Sequence, residues 1–215
     1  MRTFIATLAL ASLAVLAAPG SALASPHPFE LSIAPQTLLS SSSSVTPISD
    51  SDAHLSATVR LGYAVIDALD LYAGYRRLDR LHRLDNSGVD WTTEVHTALV
   101  GARVRLPLVG EWLKVYGQLD LEANYASLTM DLGERQGRQS TWSAGLLPEV
   151  GIEGSFDVDD TVVFLARLGV GYPLRLDHTF DAVAIGTAAP AERPVDLGNA
   201  NFSGLIVGLT AGVRF

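Results

Sequence analysis

His54 and Ser56 stand two residues apart, a spacing that places an imidazole base and a hydroxyl nucleophile on one face of an extended strand. A serine hydrolase also needs an acid to orient its histidine, and spacing fixes no Asp or Glu beside this pair. His82, His96 and His178 lie near Asp79, Asp85, Glu94 and Asp177 in sequence, side-chain types that bind divalent metals. No H-x-x-x-H or comparable ligand spacing joins them, so they read as solvated loop residues. No catalytic residue, metal or other cofactor is therefore assigned, and the chain reads as a non-enzyme.

The larger chemistry-bearing set is ionic. Glu30, Arg60, Asp70, Arg76, Arg103, Arg105, Lys114, Asp120, Glu122, Glu149, Glu153, Arg167 and Arg214 recur on the polar parity of segments that alternate apolar and polar residues. Both signs are present in near balance. If the segments are strands of one sheet, the charges share one face and must pair with each other wherever that face is closed off from water.

The alternation is clearest from Trp112 to Tyr125. Leu113, Val115, Leu119, Leu121 and Ala123 oppose Lys114, Gln118, Asp120, Glu122 and Asn124. Leu55 to Val65, Trp142 to Phe156 and Ser203 to Phe215 repeat it, and Phe29 to Thr37, Leu69 to Arg77, Trp91 to Leu106 and Val162 to Leu174 carry it more weakly. A tilted strand needs about 9 to 11 residues to cross a bilayer, whereas globular strands average about five or six. These eight segments fit the membrane length.

Connections alternate as well. Asp67-Ala68, Pro107 to Glu111 and Asp157 to Asp160 are short and turn-like; Leu39 to Asp52, Leu78 to Asp90, Leu132 to Ser140 and Arg175 to Asn201 are long and polar or irregular. This predicts periplasmic turns, extracellular loops and both termini on the periplasmic side. Aromatic belts follow, with Tyr63, Trp112, Phe156 and Phe215 at the periplasmic level and Tyr125, Trp142, Tyr172 and Phe202 at the other. Glu94 and His96 break the parity set by Arg103 and Arg105: either a bulge shifts the face or, the preferred reading, they lie on an extension above the hydrocarbon. Ser40 to Ser44 reads as flexible linker, and the stretch from Thr179 to Asn201 as a loosely packed loop.

Residues 1–24 read as a secretory signal: Met1-Arg2, an apolar run from Thr3 to Ala18, Pro19-Gly20, then Ala22-Leu23-Ala24 before Ser25. The mature domain is then residues 25–215. The 215-residue chain carries 15 Lys+Arg, 23 Asp+Glu and no cysteine. Losing Arg2 leaves 14 basic against 23 acidic residues, a net charge of −9, which argues against nucleic acid as a partner. Without cysteine there is no disulfide framework, thiolate metal site or lipidated N-terminus.

The final strand, with Leu209, Ala211, Val213 and the terminal Phe215 on one face, resembles the signal by which outer-membrane proteins reach the barrel-assembly machinery. Together with the signal and the eight segments, it makes the mature chain similar to the small bacterial outer-membrane β-barrels typified by the outer-membrane protein A transmembrane domain and the outer-membrane protein X group. The resemblance implies an all-β, closed antiparallel transmembrane barrel of eight strands. It also implies outer-membrane lipids and lipopolysaccharide as surroundings, favours a monomer, and carries no catalytic motif. The His54–Ser56 spacing is similar to that of the lipid A deacylase barrel, but under the barrel parity the pair faces the lumen. The function expected is membrane integrity or surface interaction through the extracellular loops. A narrow pore for ions or small solutes is the alternative, and lipid A hydrolysis is a minor one.

Overall fold

The computed structural model describes residues 27–40, 53–84, 90–132, 135–159, 161–180 and 199–215. The signal segment, the serine stretch beyond Ser40 and residues 181–198 lie outside them. Eight long strands follow one another: β1 Phe29–Ser40, β2 Ala53–Ile66, β3 Leu69–Leu84, β4 Asp90–Val109, β5 Leu113–Leu132, β6 Arg135–Asp159, β7 Val162–Gly171 and, after three two-residue strands, β11 Gly204–Arg214. The short ones are β8 Leu174–Arg175, β9 His178–Thr179 and β10 Asn199–Ala200.

Every long strand pairs antiparallel with its sequence neighbour, and β11 returns to pair with β1, so the sheet has no free lateral edge. The closure is made at the chain's end: Phe29 N donates to Phe215 O at 3.1 Å and Phe215 N to Phe29 O at 3.0 Å. Following directly paired residues once around, Gly151, Gly169, Gly208, Gln36, Ser56, Leu78, Val95, Ala126 and Thr141, the path returns to β6 displaced by ten residues. Ten residues of about 3.3 Å against eight gaps of about 4.7 Å set a strand tilt of about 41° and an axial rise of about 2.5 Å per residue.

At one end, the turn end, connections are tight. β2 and β3 are separated only by Asp67-Ala68, and the β4–β5 turn uses Gly110 at φ 55°, a conformation a side chain would strain. The opposite end is the loop end. Outward residues through the middle are apolar and open, including Ile33, Leu61, Leu121, Val150 and Leu209, while the inward residues are polar or charged and buried. This inside-out pattern requires lipid outside the wall, and it makes the ring a transmembrane barrel.

Above Tyr125 the pattern inverts. On β5, Ala126, Leu128 and Met130 point inward and are buried, while Ser127, Thr129 and Asp131 alternate with them. The sign of the alternation changes where the medium outside changes from lipid to water. This corrects two expected loops. β3 continues to Leu84, and the connection expected from Leu132 to Ser140 is a hairpin with only two residues between β5 and β6. β4 keeps one register with β5 from Asp90 to Pro107, so Glu94 and His96 face outward on this extension with no bulge.

A second apolar layer fills the inside of the loop end. Leu38, Leu78, Leu81, Val95, Ala126, Leu128, Leu147 and Ile206 pack with Phe180, Ala200 and Phe202. Phe180 and Ala200 come from the stretch expected to be loosely packed and Phe202 from just beyond it. The described residues there instead form a strap that follows on Leu174 and Arg175, which pair with β6, and is tied by the pairing of β9 with β10. Phe202, expected in the outer aromatic belt, is fully buried in this layer because the strap turns it inward.

Candidate functional site: a charge-filled lumen

Gly and small polar residues alternate with long ones on the inner wall, so arginines from one strand can cross the lumen to acids on another. Near the turn end Glu30 is the hub. Arg167 reaches it with Nη1–Oε1 2.7 Å and Nη2–Oε2 2.6 Å, Arg103 with Nη1–Oε1 3.2 Å and Arg214 with Nη2–Oε2 3.0 Å. Asp70 takes Arg105 at 2.7 Å, Arg214 at 3.1 Å and Arg103 at 3.4 Å. Glu153 takes Arg167 Nε at 2.5 Å and Arg105 at 3.5 Å.

A second cluster lies nearer the loop end. Glu122 binds Arg76 and, at 2.7 Å from Oε2, the Nε of Arg175. Asp120 accepts the Tyr72 hydroxyl and pairs with Arg60 at 3.5 Å. Tyr72 joins the two clusters, with the guanidinium carbons of Arg103 and Arg60 5.0 and 5.7 Å from its ring centre. Tyr116 donates to Glu149 at 2.7 Å, and Gln36 Oε1 accepts from Thr58 at 2.9 Å and Arg76 Nε at 3.1 Å.

All the residues assigned from sequence to the inner face are buried there except Lys114. Lys114 is half-buried at the turn end, in the wall of an open cavity of about 990 Å³ that Trp112, Asp67, Glu111, Asp157, Arg105 and Arg214 also line. Arg175 was missed: it lies past Pro173, just beyond the expected end of its segment at Leu174, although exposed Leu174 and Leu176 flank it and it keeps the inward parity of Arg167. Its Nη1 also donates to Phe202 O at 2.9 Å, so one side chain ties the strap to the second cluster.

Ser56 Oγ turns to the neighbouring strand. It donates to Gln36 O at 3.4 Å, and the Ser56 and His54 side chains are both buried in the wall. Among the described residues a Ser–His contact joins Ser143 Oγ and His178 Nε2 at 3.0 Å. His178, expected as a solvated loop histidine, is fully buried against Phe202, 5.3 Å between ring centres. Burial, then the nearby Arg175 charge, pushes its pKa down to about 4, which keeps the ring neutral. The neighbouring acid, Asp177, is held by Asn201 at 2.6 Å, so no carboxylate orients the imidazole, and the contact reads as structural. Among the described residues no three His, Cys, Asp or Glu gather closely enough for a metal. The side chain of His82 and all of Asp85 lie outside the described residues.

Aromatic rings mark both rims. Phe29 lies 5.5 Å from Tyr63 and 6.1 Å from Phe215 at the turn end. On the outer wall toward the loop end, Tyr75, His96, Tyr125 and Trp142 stand in line, with ring centres 6.0, 6.3 and 5.1 Å apart. Leu209, Ala211 and Phe215 of the expected assembly signal are exposed on the outer face of β11, with Val213 half-buried among them.

No family model and no curated protein matches the chain. Among solved structures it is similar to Neisserial surface protein A, at 18% identity over 89% of this chain and 97% of that one, TM-score 0.47. It is also similar to the N-terminal β-barrel domain of Pseudomonas aeruginosa OprF, at 14% identity over 88% and 98%, TM-score 0.48. A third is Ail, the attachment invasion locus protein of Yersinia pestis, at 12% identity over 87% and 95%, TM-score 0.42. The chain's own pairings, which close eight strands into a lipid-facing ring, make it a small eight-stranded transmembrane barrel of the kind its last strand resembles.

Proposed function

We propose that the chain is a plugged outer-membrane scaffold, exported by cleavage after Ala24, that works at the cell surface through its loop-end extensions and does not conduct solutes. The observation that carries this reading is the lumen: among the described residues six carboxylates and seven guanidiniums, each under one-tenth exposed, fill the barrel beneath an apolar cap. An eight-stranded barrel has room for side chains and little else. Buried charges are tolerated only when paired, and most of these are held by two or more partners. The reading takes lipopolysaccharide and membrane lipids as its surroundings, the barrel-assembly machinery as the recipient of the Phe215 strand, and the monomer as the working form.

The chain has no cysteine, so single introduced thiols report orientation cleanly. Ser140→Cys, exposed near the loop end of β6, should react with a membrane-impermeant maleimide on intact cells, whereas Asp67→Cys, in the β2–β3 turn, should react only after the outer membrane is opened. Labelling of Asp67→Cys on intact cells would reject the orientation. The mature protein should begin at Ser25 by mass spectrometry.

A further inference from the structure

One wall of the barrel differs from the rest near the upper edge of its lipid-facing band. Arg77 on β3, His96 on β4, Tyr125 on β5 and Trp142 on β6 are successive direct cross-strand partners, and all four face outward. Tyr75 shares a hydrogen bond of 2.5 Å with His96 Nδ1, so the imidazole is fixed against the wall. With the ten-residue displacement, each step from β3 toward β6 climbs about 3 Å, so the row rises from about 22 Å to about 32 Å above the Phe29–Phe215 rim. That range begins at the top of an apolar band of about 25 Å and ends among headgroups. On the opposite wall the comparable outward positions are Leu39, Leu55 and Leu205.

The row combines a cation with a shelf of rings. The Arg77 side chain is 52% exposed, and its contact with Glu94 is long, 3.9 Å. An exposed pair of that length contributes little and leaves the guanidinium fork open to a second anion. Glu94 and Asp79 both lie further out along their strands than Arg77, so the cation sits on the membrane side and the acids on the water side. Tyr125 and Trp142 present amphipathic faces with polar tips, which suit a sugar ring. We propose that this row holds the head of a phosphorylated glycolipid, with a phosphate on Arg77 and the sugar laid along His96, Tyr125 and Trp142. The proposal rests on the outer-membrane placement above. A belt that merely anchors the barrel would accept any interface and would be indifferent to phosphate.

The test uses the folded mature chain in detergent, with its unfolding midpoint followed by gel mobility without boiling. Diphosphoryl lipid A, its dephosphorylated form, phosphatidylglycerol and inorganic phosphate are added separately. Diphosphoryl lipid A should raise the midpoint by several degrees, and the other three should give less than half that shift. Arg77→Ala should abolish the difference between the two lipid A forms, Trp142→Ala should reduce it, and Leu55→Ala should leave it intact. Native mass spectrometry of the unmodified chain, which should retain diphosphoryl over dephosphorylated lipid A at least fivefold, covers the case in which a variant fails to fold. Equal shifts for the two lipid A forms, a full shift with phosphatidylglycerol or phosphate, or an unchanged response in Arg77→Ala would overturn the proposal. Maleimide labelling of Ser140→Cys is independent of lipid A, so failure here is distinguishable from failure of the surface reading.

Discussion

Arg167 holds Glu30 fork to fork across 137 residues of sequence, with both oxygens bonded at 2.7 and 2.6 Å. The pair links β7 to β1, and Arg214 on the intervening β11 bonds the same carboxylate. One acid thus gathers the three strands that close the ring.

Removing that carboxylate takes the shared partner from three guanidiniums, although Arg167 keeps Glu153 and Arg103 and Arg214 keep Asp70. Breaking one partner of a buried ion pair costs about 3 to 5 kcal/mol when the other charge is left uncompensated. Glu30→Gln, which leaves each arginine one remaining acid, should therefore lower barrel stability by up to about 3 to 5 kcal/mol in urea unfolding from lipid. Adding Arg167→Met to Glu30→Gln should recover part of the loss. A loss below about 1 kcal/mol in the single variant would mean the hub is not organising the lumen.

Two glycines should respond in opposite directions. A Cβ on Gly169, which faces the lumen, would overlap the Tyr116 hydroxyl and Glu149 Oε1, whereas a Cβ on Gly117, on the lipid face, would meet nothing within 4 Å. Gly169→Ala should therefore destabilise by about 1 to 3 kcal/mol. Gly117→Ala should be neutral or stabilise by up to about 1 kcal/mol, because alanine loses less backbone entropy on folding. Unfolding midpoints of the two variants side by side decide the point.

The ring was legible in the sequence because lipid imposes one strict rule on the wall. Leu113 through Ala123 reads as a strand from period alone, and the parity that puts Leu119 outside puts Asp120 inside. Legibility failed where that rule stops. Beyond Tyr125 the outside is water, so Leu128 and Met130 switch to the inner face, and a search for outward apolar residues finds none. Arg175, His178 and Phe202 were out of reach for a different reason. Arg175 still follows the parity of Arg167 but lies past Pro173 and the expected end of its segment. Beyond Leu176 the alternation stops, and the inward placement of His178 and Phe202 is a tertiary fact set by Ser143 and the apolar cap.

The strap should be sensitive to acid. His178 has its pKa lowered to about 4, so between that value and its ordinary value near 6.5 the unfolded strap binds a proton that the packed one excludes. Packing of the strap is fully favoured above about pH 6.5 and loses stability as pH falls toward 4. Amide exchange of residues 174–180 should accelerate at pH 4.5 relative to pH 7, after correction for intrinsic rates. His178→Gln should flatten that dependence.

Arg175→Ala should free the strap without opening the ring. Glu122 keeps Arg76, so the second cluster survives, while the bond to Phe202 O is lost. Limited proteolysis from the loop end should cut near residues 174–203 faster in the variant, with the heat-modifiable gel shift of the barrel unchanged. Loss of the gel shift would mean that the strap is integral to the barrel.

If paired charge and an apolar cap close the lumen, planar-bilayer recording of the purified mature protein will register it. A closed lumen gives no discrete conductance steps across a wide voltage range at neutral pH. Regular, ion-selective steps that change when Glu30 or Arg167 is substituted would contradict it and would make the charge network the lining of a pore.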